Sequence, residues 1–329
     1  MSSTSSSSGL SSVLIASPAL AEANNGNWRT AARWAQLLRK HCRIGIVREW
    51  RGQPCDVLIA LHARRSAPSI EAWAAAYPSR PLIVVLTGTD LYRDIHSDPA
   101  AQQSLTQATR LVVLQERGPL ELSPALRKKT VVIYQSARRL AAVNPPQRVL
   151  RVINVGHLRD EKDPLTFMRA AERMRHRTDI RFEQIGAALD PALGRAALAC
   201  ATVCPQYRWL GALPHAATRQ RIRRAHLLVN TSRMEGGAQT ILEAAQSGTA
   251  AIASRIPGNL GMLAPRRAGW FEVGDDAQLG RLIERARDDA GFLAMLRAQT
   301  LARAPLFEPA EEERHLAALL HCVLKARPA

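Results

Sequence analysis

The sequence predicts an α/β protein made of two doubly wound, Rossmann-like domains, each a parallel sheet covered by helices on both faces. Short apolar runs alternate with amphipathic stretches in both halves of the chain, the pattern of strand, helix, strand units. Polar or glycine-rich segments follow the apolar runs, where ligands of such sheets bind. Pro145 and Pro146 interrupt the pattern near the middle, because consecutive prolines cannot continue a helix or a central strand.

The 329 residues suffice for two domains, each with its own core. We expect a disordered Ser-rich tail over 1–12, an N-terminal domain over 13–146 and a C-terminal domain over 147–305. The final segment, 306–329, contains an amphipathic helix from Glu308 to Lys325.

The N-terminal domain is predicted to have five strands. The first, Val13 to Ser17, leads through a Gly/Asn loop to a helix from about Trp28 to Lys40. The runs VLIAL, PLIVVL, LVVL and TVVI predict the other four. Polar residues follow two of these strands, namely His62, Arg64 and Arg65 after VLIAL, and Thr87, Gly88, Thr89 and Asp90 after PLIVVL.

The C-terminal domain repeats this alternation. A buried strand from Val149 to Val155 precedes a helix from about Pro164, and another buried strand runs from Leu227 to Asn230. Shorter strands are expected in RFEQI, YRWL and AAIAS, with a turn ending at His215 and a Gly/Pro loop at Gly258 and Asn259. Because the carboxyl ends of parallel strands share an edge, we expect one rim to bring together Gly156, Gly186 and Glu235.

Two carboxylates, Glu235 and Glu243, are spaced eight residues apart with Gly236 and Gly237 between them. Backbone N–H groups after a glycine pair, at the start of a helix, suit a phosphate. If all eight steps rise as helix, the carboxylates lie about 12 Å apart, which is too far for an acid/base pair. They suit instead the hydroxyls of two sugar rings at opposite ends of one diphosphate.

This motif resembles the retaining GT-B glycosyltransferases of family 4. The resemblance implies that Glu243 holds the ribose of a nucleotide, while Glu235 and the amides after Gly236 face the donor sugar. It also implies two domains facing a central cleft, with the C-terminal helix returning to the N-terminal domain. The family places an Arg directly after the glycine that corresponds to Gly156 and a Lys six residues after it, both on the diphosphate. Here these positions are occupied by His157 and Lys162, and Arg159 is near enough to substitute.

The segments GNWRTAARWA, LIALHARRSA, VLTGTDLYRDI and VGHLRDEKDPL together resemble the selenosugar synthases of selenoneine biosynthesis. That resemblance implies transfer of sugar from UDP-N-acetylglucosamine or UDP-glucose to selenophosphate. Guanidinium and amide groups suit such an anion, and we expect acceptor contacts from Asn25, Gly26, Asn27, Arg64, Thr87, Gly88 and Thr89. Catalytic roles are expected for Glu235, Lys162, His62 and Asp90. Because selenium arrives anionic, His62 and Asp90 orient the acceptor rather than deprotonate it.

Two other functions remain open. One is an ordinary family 4 transferase with an alcohol, thiol or lipid-linked acceptor, and the other is a non-catalytic nucleotide-sugar binder. The net charge of +17 has two explanations. It follows from the base composition of the genome, or it provides an electrostatic field that attracts anionic substrates. Nucleic acid is a disfavoured partner, since aromatic residues make up only 5% and the arginines are dispersed.

No cofactor or metal is expected, because no Asp-x-Asp metal motif occurs and Cys200 and Cys204 lack zinc-type spacing. Five cysteines and no membrane-length apolar stretch suggest a cytoplasmic protein with reduced thiols and no membrane partner. The oligomeric state is left open.

Overall fold

A computed structural model describes residues 10–19, 26–143, 145–146 and 148–325. It divides into two compact units. The first unit contains residues up to 114, residues 118–133 and residues from 310 onwards, and the second contains residues 115–117 and 134–309. The boundary expected at 146 therefore lies inside the second unit, and the final helix belongs to the first.

The first unit is a six-stranded parallel sheet in the order β2-β1-β3-β4-β5-β6. Its strands are β1 Ser12–Ala16, β2 Arg43–Val47, β3 Val57–Leu61, β4 Leu82–Leu86, β5 Arg110–Val113 and β6 Thr130–Val132. Its helices are α1 Gly26–Leu38, α2 Ala67–Ala76, α3 Ile95–Ser97, α4 Pro99–Gln107, α5 Pro124–Arg127 and α13 Pro309–Lys325. A π-helical turn, Asp90–Asp94, directly precedes α3.

The second unit is also a six-stranded parallel sheet, in the order β12-β11-β10-β7-β8-β9. Its strands are β7 Leu150–Val155, β8 Ile180–Ile185, β9 Tyr207–Trp209, β10 Leu227–Asn230, β11 Ala250–Ser254 and β12 Trp270–Phe271. Its helices are α6 Pro164–Arg173, α7 Pro191–Val203, α8 His215–Arg224, α9 Gln239–Ala245, α10 Pro257–Leu263, α11 Asp276–Asp288 and α12 Ala290–Leu301.

Apolar side chains fill both faces of each sheet. In the first unit, one core packs around Trp73 and Leu86, and the other packs around Trp34 and Ile59 and includes Leu316 of α13. In the second unit, cores on opposite faces are centred on Phe182 and on Ile153. The doubly wound architecture predicted from the alternating pattern is confirmed.

Several local predictions were wrong. The first sheet has six strands rather than five, because β2 is a half-exposed edge strand whose sequence, RIGIV, has a glycine at its centre. Ser12, assigned to the disordered tail, belongs to β1, where its amide donates to Asp56 Oδ2 at 2.8 Å. Gly258 and Asn259 lie in helix α10 rather than in a loop, and His215 begins α8. No helix in the described part of the chain is long and apolar enough to cross a membrane.

Candidate donor and acceptor sites

Glycines allow the loops at the carboxyl ends of β7 and β8 to touch backbone to backbone. Gly186 has a φ of 150°, and a Cβ added there would lie 1.9 Å from the Gly156 carbonyl oxygen. A Cβ at Gly156 would in turn meet the Lys162 side chain at 3.3 Å. At Gly186 only glycine leaves this space. The aliphatic part of Lys162 therefore lies directly over the Gly156 backbone.

Lys162 and Glu235 form an ion pair. Lys162 ends a 3₁₀ turn, Asp160–Lys162, and its Nζ lies 2.6 Å from Glu235 Oε1. The same oxygen accepts hydrogen bonds from Ser232 Oγ at 2.6 Å and Asn230 Nδ2 at 3.2 Å. Burial alone would raise the pKa of Glu235, but the charge of Lys162 and these donors outweigh it, so the pKa is lowered. Glu235 is therefore a buried carboxylate that stays ionised.

The loop that carries Glu235 is supported by α10. The space for a side chain at Gly258 is taken by the Glu235 backbone, whose carbonyl oxygen lies 1.9 Å from where that Cβ would be. Asn259 is fully buried, and its Nδ2 donates to Asn230 Oδ1 at 3.1 Å and to the Ser254 carbonyl at 3.0 Å. Gly258 and Asn259 thus fix the position of Glu235, a role that the sequence did not suggest.

His157 and Arg159 lie in the same loop as Lys162. The Nδ1 of His157 accepts a hydrogen bond from the Ala187 amide at 3.1 Å, so Nε2 carries the proton of the neutral ring. Arg159 is partly exposed, and its Nε lies 3.7 Å from Glu161 Oε2. Both side chains are thus engaged with neighbouring protein groups.

Glu243 contacts a histidine that sequence reasoning left out of the site. It is 2% exposed in α9, and its Oε1 lies 2.6 Å from His215 Nε2 and 3.4 Å from Gln239 Nε2. His215 is the first residue of α8, and its side chain is 43% exposed. The pair is separated by 28 residues, so no local pattern revealed it.

Gly236 is buried and Gly237 is half-buried in the segment between Glu235 and α9. Helix α9 has seven residues, and no side chain caps its N-terminus at Ala238. The predicted donor residues Gly156, Lys162 and Glu235 are thus brought into contact, and Glu243 lies in the helix that follows Glu235.

In the first unit, Asp90 joins the loops that follow β3 and β4. It is fully buried, and its carboxylate accepts hydrogen bonds from the amides of Ala63 at 2.9 Å, Thr87 at 2.9 Å and Gly88 at 2.8 Å. Gly88 has a φ of 148°, which favours glycine. With its lone pairs accepting from backbone donors, Asp90 serves to hold the two loops together.

His62 lies beside the Asp90 carboxylate. Its φ of 73° is a strained backbone conformation for a residue other than glycine. Its Nδ1 accepts from the Arg65 amide at 3.3 Å, and its Nε2 lies 3.0 Å from Thr89 Oγ1. Burial lowers the pKa of His62, and Arg65 adds to this, against the opposing charges of Asp90 and Asp94. The neutral ring therefore presents an N–H donor at Nε2.

Asp94 is a neighbour of His62 that the sequence did not identify. It is 4% exposed, and its Oδ2 has no hydrogen-bond partner within the described residues and lies 3.9 Å from His62 Nε2. Its Oδ1 lies 3.1 Å from Arg93 Nε and 3.8 Å from an Arg64 terminal nitrogen. The π-helical turn places Asp94 here. The only signal was the spacing of Asp90 and Asp94 in TGTDLYRDI.

The other residues predicted to contact the acceptor substrate come from separate segments of the sequence. Arg64 is exposed, and its Nε lies 2.9 Å from Asp98 Oδ2. Gly26 and Asn27 form the first turn of α1 rather than a loop, and Asn27 is 8% exposed. Asn25 lies outside the described residues. Over the described residues, no cluster of three His, Cys, Asp or Glu side chains is arranged to hold a metal ion.

Residues 150–289 match the family described as glycosyl transferases group 1. The chain has the GT-B fold, and the match to the group 1 glycosyltransferases lies within its second unit and covers less than half of the chain. The Lys162 and Glu235 pair and the Glu243 helix all lie within that domain. The sequence has no match among curated proteins.

Solved structures share the glycosyltransferase fold at low identity. Anabaena HepE in complex with UDP-glucose is 14% identical, with a TM-score of 0.75 over 95% of this chain and 100% of the other. Sucrose-phosphate synthase from Thermosynechococcus elongatus is 15% identical, with a TM-score of 0.77 over 96% and 99% of the two chains. The pneumococcal O-GlcNAc transferase GtfA, in complex with UDP and GlcNAc, is 17% identical, with a TM-score of 0.67 over 82% and 57%.

Proposed function

We propose that this glycosyltransferase is a selenosugar synthase that transfers the sugar of UDP-N-acetylglucosamine or UDP-glucose to selenophosphate. The observation that carries the donor assignment is the contact between Lys162 and Glu235, which joins two motifs 73 residues apart. HepE with UDP-glucose and GtfA with UDP and GlcNAc support a uridine nucleotide in the same fold.

In this proposal the donor diphosphate lies against Lys162. An ammonium group has three donors, of which one is directed at Glu235, so others remain for phosphate oxygens. Lys162 stabilises the negative charge that develops on the departing diphosphate, with Arg159, His157 and the amides at Gly236 and Gly237. Glu235 accepts hydrogen bonds from hydroxyls of the donor sugar.

Glu243 accepts hydrogen bonds from the ribose. Its carboxylate is 2% exposed and already held by His215, so it is oriented before the nucleotide arrives. Preorganisation of this kind reduces the ordering that binding requires.

The acceptor is proposed to bind in the first unit, near Arg64 and the loop from Thr87 to Thr89, with Gly26 and Asn27 at the start of α1. Asn25 is proposed to contribute from outside the described residues. His62 donates a hydrogen bond from Nε2, and Asp90 holds the loops in place. The selenium lone pair forms a bond to the anomeric carbon as the bond from that carbon to the diphosphate oxygen breaks, and UDP leaves with the electron pair. Water then cleaves the phosphorus–selenium bond and releases phosphate.

One observation favours a second candidate, transfer to a neutral alcohol or thiol. Asp94 Oδ2 is buried, lacks a hydrogen-bond partner among the described residues and lies near His62, so it is available to accept a proton from a neutral nucleophile. Asp94 and Asp98 also offset the positive charge of Arg64. Both features suit an uncharged acceptor better than a phosphate.

Mass spectrometry of products from a panel of UDP-sugars separates the two candidates. Purified protein is incubated with each donor and either selenophosphate or a set of alcohols and thiols. Selenosugar formation supports the first proposal. Products that form only with alcohols or thiols support the second. Stable binding of the UDP-sugar, with no UDP released in the presence of any acceptor, indicates a nucleotide-sugar binder.

A further inference from the structure

A cavity lies in the second unit at the amino ends of the strands, whereas the Lys162 and Glu235 site follows their carboxyl ends. It has a volume of about 610 Å³ and is lined by Leu150, the first residue of β7, His226, which precedes β10, and residues of α11 and α12. Pockets for small molecules in proteins span about 300–1,000 Å³. The cavity is therefore large enough for a small organic ligand.

Its walls are apolar, while its polar groups are hydrogen-bond donors. Leu150, Leu293 and Ala294 contribute apolar surface, and Arg287, Arg297 and His226 contribute nitrogen. Among the residues that the structure describes, no carboxylate lines the cavity. Arg287 is neutralised by Asp179, whose Oδ2 lies 2.8 Å from the Arg287 Nε, whereas Arg297 forms no ion pair with any residue in the described part of the chain.

His226 lies in the wall of this cavity and carries a buried donor. It is 5% exposed, and its Nδ1 accepts a hydrogen bond from the Arg151 amide at 2.9 Å, so Nε2 carries the proton. Within the described residues Nε2 is buried without a hydrogen bond of normal geometry, and the Pro145 backbone makes only a weak hydrogen bond to the ring. Arg297 Nε is likewise buried and unpaired. Each unsatisfied buried donor costs about 1–3 kcal/mol.

We propose that this cavity binds a small organic monoanion with an apolar body, of the kind represented by a medium-chain fatty acid. The carboxylate accepts hydrogen bonds from Arg297 and His226, and so satisfies two donors and one positive charge at once. The apolar body packs against Leu150, Leu293 and the alanines of α12. An uncharged ligand of the same shape gains the apolar contact but cannot pair as an anion with Arg297.

Isothermal titration calorimetry with octanoate, and with octan-1-ol as its uncharged counterpart, tests this proposal. Octanoate is expected to bind the wild-type protein at least about tenfold more tightly than octan-1-ol, because charged hydrogen bonds contribute more than about 1.4 kcal/mol. Arg297→Gln removes that preference. The matched control, Arg281→Gln on the exposed surface of α11, leaves it unchanged.

A third variant locates the binding site. Ala294→Phe places a ring in the cavity and is expected to abolish octanoate binding, with circular dichroism used to verify the fold. Absence of octanoate binding to the wild type contradicts the proposal. So does equal affinity for the two ligands, an unchanged preference in Arg297→Gln, or full binding by a folded Ala294→Phe variant.

Discussion

The contact with Lys162 helps to keep the buried Glu235 side chain ionised. Glu235 is almost fully buried, a setting in which a carboxylate without a cation would be protonated near neutral pH. Lys162 at 2.6 Å, together with Ser232 and Asn230, keeps it charged. The site thus holds a carboxylate that stays ionised beside the Lys162 side chain.

The lowered pKa of Glu235 predicts a pH dependence of stability. In the unfolded chain a glutamate titrates near 4.5, and in the folded protein the Glu235 pKa lies below that value. Its contribution to the free energy of unfolding is therefore complete above pH 4.5 and is lost as the pH falls through the folded pKa. Denaturant titrations at several pH values measure this loss.

Lys162→Met provides the contrast for that measurement. Without the ammonium group the pKa of Glu235 rises, so the variant is less stable than the wild type at neutral pH and the difference shrinks as the pH falls below 4.5. Lys128→Met, which alters an exposed lysine, serves as the control. A Lys162→Met variant that keeps wild-type stability across this pH range would contradict the claim that Lys162 lowers the pKa of Glu235.

Asp94 is the residue whose substitution separates the two acceptor classes. With selenophosphate as acceptor, Asp94→Asn removes a negative charge beside Arg64 and Arg93, so the KM for selenophosphate is expected to fall by several-fold while kcat is kept. Steady-state kinetics of UDP release measure both constants. A loss of kcat by about 100-fold or more would instead indicate that Asp94 accepts a proton, and would favour a neutral acceptor.

At the scale of elements, close packing at Gly156 and Gly186 brings together the loops that follow β7 and β8. Gly186→Ala meets a carbonyl oxygen at 1.9 Å in addition to its unfavourable φ, whereas Gly211, with a φ of 65°, has open space around its Cβ position. We expect Gly211→Ala to cost about 1–2 kcal/mol through the backbone alone and Gly186→Ala to cost clearly more. Chemical denaturation of the two variants provides the comparison, and equal losses would contradict the packing argument.

A buried carboxylate adds to the apolar packing that holds helix α13 in the first unit. Glu312 is 1% exposed, and it accepts hydrogen bonds from Arg33 Nε at 2.8 Å and Trp34 Nε1 at 2.7 Å. Glu312→Ala leaves a guanidinium and an indole N–H without their acceptor, and is expected to destabilise the protein by about 3 kcal/mol.

Glu313→Ala is the matched control for that substitution. The neighbouring Glu313 pairs with His41 and Lys40 at the surface, where an ion pair contributes at most about 1 kcal/mol. Thermal unfolding followed by circular dichroism measures both variants. Similar melting temperatures for the two would show that Glu312 does not anchor α13.

The elements that the sequence predicted well are those with long apolar runs. Strand β10 was predicted with its observed limits and β7 to within one residue, since both are buried on two faces. The missed strands β2 and β12 lie at sheet edges, where half-exposed residues leave a weak pattern. The limits of α1 differed by two residues because the Gly/Asn segment before it forms its first turn.

At the scale of the whole molecule, the repeated alternation of strands and helices was sufficient to predict two doubly wound domains, and the resemblance of the Glu235 motif to family 4 implied the GT-B fold. The site was predictable only where its residues follow strands in recognisable motifs, as Gly156, Lys162 and Glu235 do. His215 and Asp94 were missed because one depends on a contact across 28 residues and the other on a π-helical turn. Neither leaves a periodic pattern in the chain.

The claim on which the rest depends is that a uridine nucleotide binds the group 1 domain beside Glu235 and Glu243. Calorimetric titration of UDP into the wild type, Glu243→Ala and Glu235→Ala tests it most directly. Glu243→Ala is expected to weaken UDP binding by about tenfold or more, through loss of charged hydrogen bonds to the ribose. Glu235→Ala is expected to bind UDP with nearly wild-type affinity but to transfer sugar poorly. Undiminished UDP affinity in Glu243→Ala, with wild-type turnover in both variants, would contradict the account.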